Sequence, residues 1–321
     1  MMSPNGEPMA VKDVVNVDTP SLAKNASKRR RAWNAFEKVS EGILFASAFI
    51  GVVTIILIFL FLFKEALPVL FDAKTAASLT ASKWYPISQP PVFGLIPLIA
   101  GSLIVTVGAI VISVPLGVGA AIYLSMVASP MVREILKPTI EVLAGIPSVV
   151  LGFFGMAFLA PVVKSLFNLP TGLTALTGAI TLALMALPTI TSISEDAISS
   201  VPGKYMEAAL SLGATRWQAI ITVIVPAAFS GITASVMLGI GRAIGETMTV
   251  LMVTGNAGII PDSFLVPVRT MTATIAAEMG EVARGSDHYH ALFVVGAVLF
   301  IMTFIINLIA DMVSRRMKEV E

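Results

Sequence analysis

Cysteine is missing from all 321 residues, so disulfides, thiolate nucleophiles, iron–sulfur clusters and thiolate zinc sites are excluded together. Histidine is nearly missing: His288 and His290 are too few for a histidine-based metal cage. Charge is scarce as well, at 13% of residues against roughly 25% in soluble proteins. The net charge of +1 excludes a nucleic-acid reader that works by neutralising phosphates. No G-x-x-x-x-G-K-[S/T] run is present to cradle nucleotide phosphates, and there is no G-x-S-x-G elbow or H-E-x-x-H helix. With no nucleophile, base and orienting group in a recognisable pattern, no catalytic residue and no metal ligand is assigned. An enzyme is the weakest class for this chain.

What is abundant is hydrocarbon: 56% of the residues are hydrophobic, and the mean hydropathy is +0.89. A soluble fold would expose more apolar surface than water tolerates, so the solvent is lipid. Apolar runs over 42–63, 95–127, 136–163, 173–193, 227–253 and 291–313 predict six transmembrane helices. The first is longer than a secretory h-region and is read as an uncleaved helix. The second, holding Pro115, exceeds one perpendicular span and is expected to tilt or kink. Residues 1–40 are polar and read as a cytoplasmic tail, with 41–321 as the transmembrane domain. If the tail is cytoplasmic, 14 of the 21 Lys and Arg residues fall inside and 6 outside. That asymmetry places both termini in the cytoplasm.

The segment 201–226, between helices four and five, carries the most informative spacing. Two short helical runs are expected to meet at Gly213, with Pro226 in the first turn of helix five. Read by itself, the segment is an amphipathic connector on the membrane surface. Its Glu207-Ala208-Ala209, three residues, Gly213, nine residues and then Val-Ile-Val-Pro resembles the EAA loop of ABC importer permeases. Val223 and Val225 replace the Ile and Leu of that pattern. The resemblance implies the type I importer permease (MetI-like) fold. It also implies that Glu207, Ala208, Ala209, Gly213 and Arg216 couple the chain to a separate ATPase, with Glu207 as the charged contact.

Other segments narrow the family. Trp84 to Ser102, Leu136-Lys137-Pro138-Thr-Ile-Glu141, Gly241-Arg242-Ala-Ile-Gly245-Glu246-Thr247-Met248 and Gly285-Ser-Asp-His-Tyr look like the permeases of phosphate importers. The likeness is to the C-type permease more than to its A-type sibling, and covers most of the chain from about Trp84. It implies a cytoplasmic (inner) membrane location and three kinds of partner: an A-type sibling permease, an ATPase subunit dimer and an extracytoplasmic phosphate-binding protein. ATP and magnesium would belong to the ATPase subunits, with no cofactor in this chain. Another oxyanion, such as phosphonate or sulfate, remains open as the substrate. An ion-coupled secondary transporter with Glu246 as proton carrier is a weaker alternative, because it leaves the EAA-like loop unexplained.

Arg242 and Glu246 fall inside helix five, where an isolated charge costs at least about 2.5 kcal/mol. Their four-residue spacing predicts a mutual ion pair on one helix face. A packing pair and a gate whose guanidinium binds phosphate oxygens are both consistent with it, and the phosphate-permease resemblance supports the gate. Thr247 adjoins them, and Pro147-Ser148 is the other candidate for lining the path. Gly241 is expected to serve close helix packing. Lys137–Glu141 and Asp311–Arg315 read as structural pairs near the cytoplasmic face. Asn307 reads as an interhelical hydrogen-bonding residue. The extracytoplasmic stretch 256–288, with Glu278, Glu281 and Arg284, reads as a loop suited to docking a soluble partner.

Overall fold

The computed structural model describes residues 19–318. Much of the expected tail, residues 1–18, lies outside that range, as do the side chains of the expected Asp311–Arg315 pair. Residues 1–60 and 61–321 form two compact units. The described part of the first unit belongs to one helix, α1 (Thr19–Phe71), which begins far before the apolar run and continues into the second unit. From Ile43 to Leu60 its large side chains are exposed aliphatic and aromatic groups, a composition suited to hydrocarbon.

In the second unit α1 is followed by α2 (Ala73–Ser78) and a two-stranded hairpin, β1 (Trp84–Tyr85) and β2 (Val92–Phe93). The strands run antiparallel, with Trp84 opposite Phe93. Then come α3 (Ile96–Ile122), α4 (Pro130–Ala144), α5 (Ser148–Leu166) and α6 (Ala175–Ser199). A connecting pair, α7 (Lys204–Ser211) and α8 (Arg216–Ala227), leads into α9 (Phe229–Gly245) and α10 (Met248–Val253). The chain closes with α11 (Met271–Glu278) and α12 (Asp287–Lys318).

Among the described residues, five helices are long and apolar enough to cross a membrane: Glu37–Val69, Ile96–Val127, Ser148–Leu166, Ala175–Ser199 and Asp287–Ile309. The pair α8 and α9, bent by 69°, makes the sixth when counted as one broken span. Two expected helices are thus redrawn. The third span starts at Ser148 instead of 136, because Gly145 ends α4 and Pro147 sits at the N-cap of α5. The fifth is broken twice, near Ala228 and at Glu246–Thr247. Pro188 is buried within α6, whereas Pro147 is exposed. Pro147 precedes a helix instead of interrupting one, so no internal hydrogen bond is lost there.

The core centres on α3 packed along α6. Val105 and Ala109 of α3 and Leu182, Ala183 and Met185 of α6 are buried together with Ala243 and Val250. Toward one end, Ala121, Ile198, Ile224 and Ile232 form a second cluster. Toward the other, Trp84, Phe93, Leu98, Met271 and Leu292 form a third. Two glycines let α3 and α6 approach: a Cβ on Gly108 would lie 2.8 Å from the Ala179 methyl, and one on Gly117 would lie 2.8 Å from Ile190 Cγ2. Lipid offers helices no hydrophobic drive to associate, so such close fits carry the association. Gly117→Val is expected to destabilise the fold by about 1–3 kcal/mol through overpacking, measured as a lower melting temperature of the purified protein in detergent. A melting temperature equal to the parent's would mean that Ile190 gives way freely.

Candidate functional site

The break in the fifth span gathers the residues singled out for the substrate path. Glu246 leaves the helix with an extended backbone, φ −68° and ψ 133°. Its carboxylate then turns onward to α10, where Oε1 accepts the Thr249 amide at 3.2 Å. That is an N-terminal capping bond, favourable because the first amides of a helix have no internal partner. Thr249 is fully buried, and its hydroxyl donates to the Ser148 carbonyl at 2.9 Å. The start of α5 and the start of α10 are thereby joined. Pro147, Ser148, Glu246 and Thr247 do come together, with Thr249 as the bridge.

Arg242 is placed differently from the sequence expectation. A mutual ion pair with Glu246 needs continuous helix between them, and the extended residue at 246 carries the carboxylate away. Among the described residues Arg242 has no carboxylate within ion-pair distance. Its one side-chain hydrogen bond is a long one, from Nη1 to the Thr189 hydroxyl of α6 at 3.4 Å. The guanidinium is half-buried in the last turn of α9. Beside it Gly241 and Gly245 are exposed, and a Cβ on either would meet nothing within 4 Å. The packing glycine of this helix is therefore Gly239, whose Cβ would lie 2.8 Å from Ile190. Gly241 leaves the α9 surface open next to a cation whose donors are largely unused.

In the segment expected to couple to an ATPase, two short helices meet at Gly213 as the spacing suggested, but Pro226 lies in the last turn of α8, ahead of the 69° bend, and not in the first turn of α9. Gly213 adopts φ +89°, a left-handed conformation that costs L-residues strain, and turns the chain between α7 and α8. The Gly213 amide bonds the Leu210 carbonyl and the Ala214 amide bonds the Ala209 carbonyl, closing the end of α7. Thr215 begins α8 with a reciprocal capping box to Gln218. Ala209 is the buried contact of α7. Glu207, Ala208 and Arg216 are exposed, and Leu212 and Trp217 stand 90% and 60% exposed beside them. Two large apolar side chains and two opposite charges on one short turn make a surface suited to protein contact.

Behind that turn lies an ionic clasp. Glu195, near the end of α6 and only 1% exposed, accepts from Arg133 and, at 2.7 Å, from Lys137, both on α4. Lys137 also reaches Asp196 at 2.8 Å, and the Ser199 hydroxyl donates to Glu195 at 2.9 Å. Lys137 therefore does not pair with Glu141, which is exposed on the same helix. A buried carboxylate attracts the cation more strongly than a solvated one four residues away. The hydrogen bonds to Asp196 and then Glu195 hold the Lys137 ammonium above its ordinary pKa. Asn307 is exposed on α12 and makes no side-chain hydrogen bond among the described residues.

The stretch 256–288 is more ordered than a docking loop. Its helix α11 is buried at its start, with Met271 and Thr274 inaccessible. Glu278 at its end faces inward to Trp84, Arg269 and His288. Glu281 and Arg284 remain exposed. The alternating Thr270, Thr272 and Thr274 were the sequence signal for this buried end: hydroxyls that can bond backbone inside a membrane protein.

Residues 113–319 match the family described as binding-protein-dependent transport system inner membrane component. A probable ABC transporter permease protein, YqgH of Bacillus subtilis, is 42% identical over 240 residues, spanning 75% of this chain and 78% of the relative. The phosphate transport system permease protein PstC of Mesorhizobium japonicum is 39% identical over 251 residues, spanning 72% of this chain and 76% of the relative. Among solved structures, a bacterial alginate ABC transporter in complex with its alginate-bound periplasmic protein has a chain that superposes with a TM-score of 0.62. That match is 16% identical and covers 87% of this chain and 96% of that one, so it establishes the ABC importer permease fold alone. With the family match over 113–319 and these relatives, the chain belongs to the binding-protein-dependent transport system inner membrane components, a family of membrane transport subunits.

Proposed function

We propose that this chain is the permease subunit of an ATP-driven importer of inorganic phosphate. The observation that carries the reading is Arg242: a half-buried side chain within an apolar helix, without a carboxylate partner among the described residues, beside the open surface at Gly241 and Gly245. A cation in that setting is costly unless an anion visits it, and its planar fork matches phosphate oxygens. The relatives named as phosphate permeases support the choice of anion.

The remaining parts follow from the family's architecture. An A-type sibling permease would complete the path across the open face of α9. An ATPase subunit dimer, which would hold the ATP and magnesium, would grip Glu207, Ala208, Ala209, Gly213 and Arg216 on the α7–α8 turn. An extracytoplasmic phosphate-binding protein would deliver the anion, and both termini would lie in the cytoplasm. Closure of the ATPase dimer would push on α7 and α8, tilt α9 and open the region around Glu246, Thr247, Pro147 and Ser148 to the outside. Phosphate would then pass Arg242 inward.

The test is uptake of labelled phosphate at low external concentration, in cells lacking this chain and other phosphate transporters. Supplying the chain is expected to restore uptake, with excess sulfate or phosphonate leaving it unchanged. Failure to restore uptake, or strong competition by either anion, would move the assignment to another oxyanion.

A further inference from the structure

The helix α11 is fastened at both ends by groups of different kinds. At its start, the Met271 amide donates to the buried Ser102 hydroxyl of α3 at 2.9 Å. The carbonyl of Arg269, just before it, lies so close to Gly101 that a Cβ there would come within 2.3 Å. At the second residue of the helix, the Thr272 hydroxyl donates to the Glu246 backbone carbonyl at 2.7 Å. This is the carbonyl of the residue at which the fifth span unwinds. At the far end, both Glu278 carboxylate oxygens are engaged: Oε1 by Arg269 at 2.6 Å, Oε2 by His288 at 2.8 Å, and both by the Trp84 indole N–H. Glu278 and those three partners line a cavity of about 600 Å³.

Eight helical residues between these anchors make a rod of about 12 Å. We infer that α11 is a strut that sets the conformation of the Glu246 break from the extracytoplasmic cavity, with Thr272 as the positioning residue and Glu278 as the far anchor. Whatever moves Glu278 among Trp84, Arg269 and His288 shifts α11 along its axis, because a helix is stiff. The Thr272 hydroxyl delivers that shift to the carbonyl at the break. Thr272 is largely buried, and its hydroxyl is committed to that carbonyl. It acts through Glu246, whose carboxylate in turn caps α10. The inference rests on the proposed function only in placing Glu246 on the translocation path.

The experiment is a double-mutant cycle on the full chain assembled with its partners, read by amide hydrogen exchange over 247–250 and by maximal phosphate uptake rate. Thr272→Val removes the hydroxyl at constant shape, Glu278→Gln weakens the far anchor, and the double variant combines them. Each single change is expected to raise exchange at the break and to lower the uptake rate about tenfold with KM unchanged, the scale of one lost hydrogen bond. The double is expected to be no worse than Thr272→Val, since a detached strut has nothing left to transmit. Thr272→Ser, which keeps the donor, is expected to restore both readouts. Ser102→Ala, which frees the Met271 amide at the same end, is a second near-end variant should Thr272→Val not accumulate.

Unchanged exchange at the break in Glu278→Gln, or additive effects in the double, would overturn the strut. If the parent complex carries no phosphate, the proposed function fails, and the exchange cycle still decides the strut.

Discussion

Arg242→Gln is expected to reduce phosphate uptake by at least about a hundredfold while the complex still assembles, the scale of losing two charge-assisted hydrogen bonds to an anion. Gln keeps the length and polarity of the side chain but removes the charge and the paired donors. Assembly should survive because Arg242 contributes little to folding: its single side-chain hydrogen bond, to Thr189, is 3.4 Å long. Arg242→Lys discriminates further, since it restores the charge without the fork and is expected to recover only part of the rate. Labelled uptake, normalised to the amount of complex recovered from the membrane, checks both. Normal uptake by a correctly assembled Arg242→Gln protein would remove the guanidinium from the path.

The clasp between α4 and α6 leads to the second large effect, and to an asymmetry. Removing both cations, Arg133→Ala with Lys137→Ala, leaves Glu195, only 1% exposed, without either of the two cations that hold it. Stranding a buried charge in this way costs about 3–5 kcal/mol. Glu195→Gln instead leaves Lys137 its bond to Asp196 and lets the partly exposed Arg133 turn to water, so its cost is expected to be about 1–2 kcal/mol. Melting temperatures of the detergent-purified protein should therefore fall much further for the double cation variant. The reverse order would mean that Glu195 is better solvated than its burial indicates. The Lys137 pKa is raised, so its contribution is complete at neutral pH. That contribution is lost only in strongly alkaline solution, as the pH rises through the raised value.

How much of this was legible beforehand depends on the range of the interaction concerned. The EAA-like turn could be read because everything that forms it is local. Gly213 sets the turn, Thr215 and Gln218 cap the next helix, and Ala209 supplies the buried face within about ten residues. The apolar spans could be read because lipid imposes a length of apolar residues on each, but the late start of the third and the breaks in the fifth could not. The site at Glu246 could be read only as a set of residue types. Whether Arg242 and Glu246 pair depends on whether the helix continues, and α10 decides that by offering its free amide at Thr249 to the carboxylate. Lys137 met the same fate: its partner came from α6, 58 residues away, and not from Glu141 one turn on.

The amino-acid sequence by itself determined that this chain lives in lipid, where its apolar runs fall, which ends of those runs carry its cations, and where the Gly213 turn lies. Composition, apolar run length and short-range backbone preference decide those features, and each acts within a few helical turns. Only the tertiary structure decided that Gly239 and not Gly241 packs, that Glu195 gathers Arg133 and Lys137, and that Thr272 ties α11 to the break at Glu246. The reason is that buried polar groups must find partners wherever the packed helices bring them.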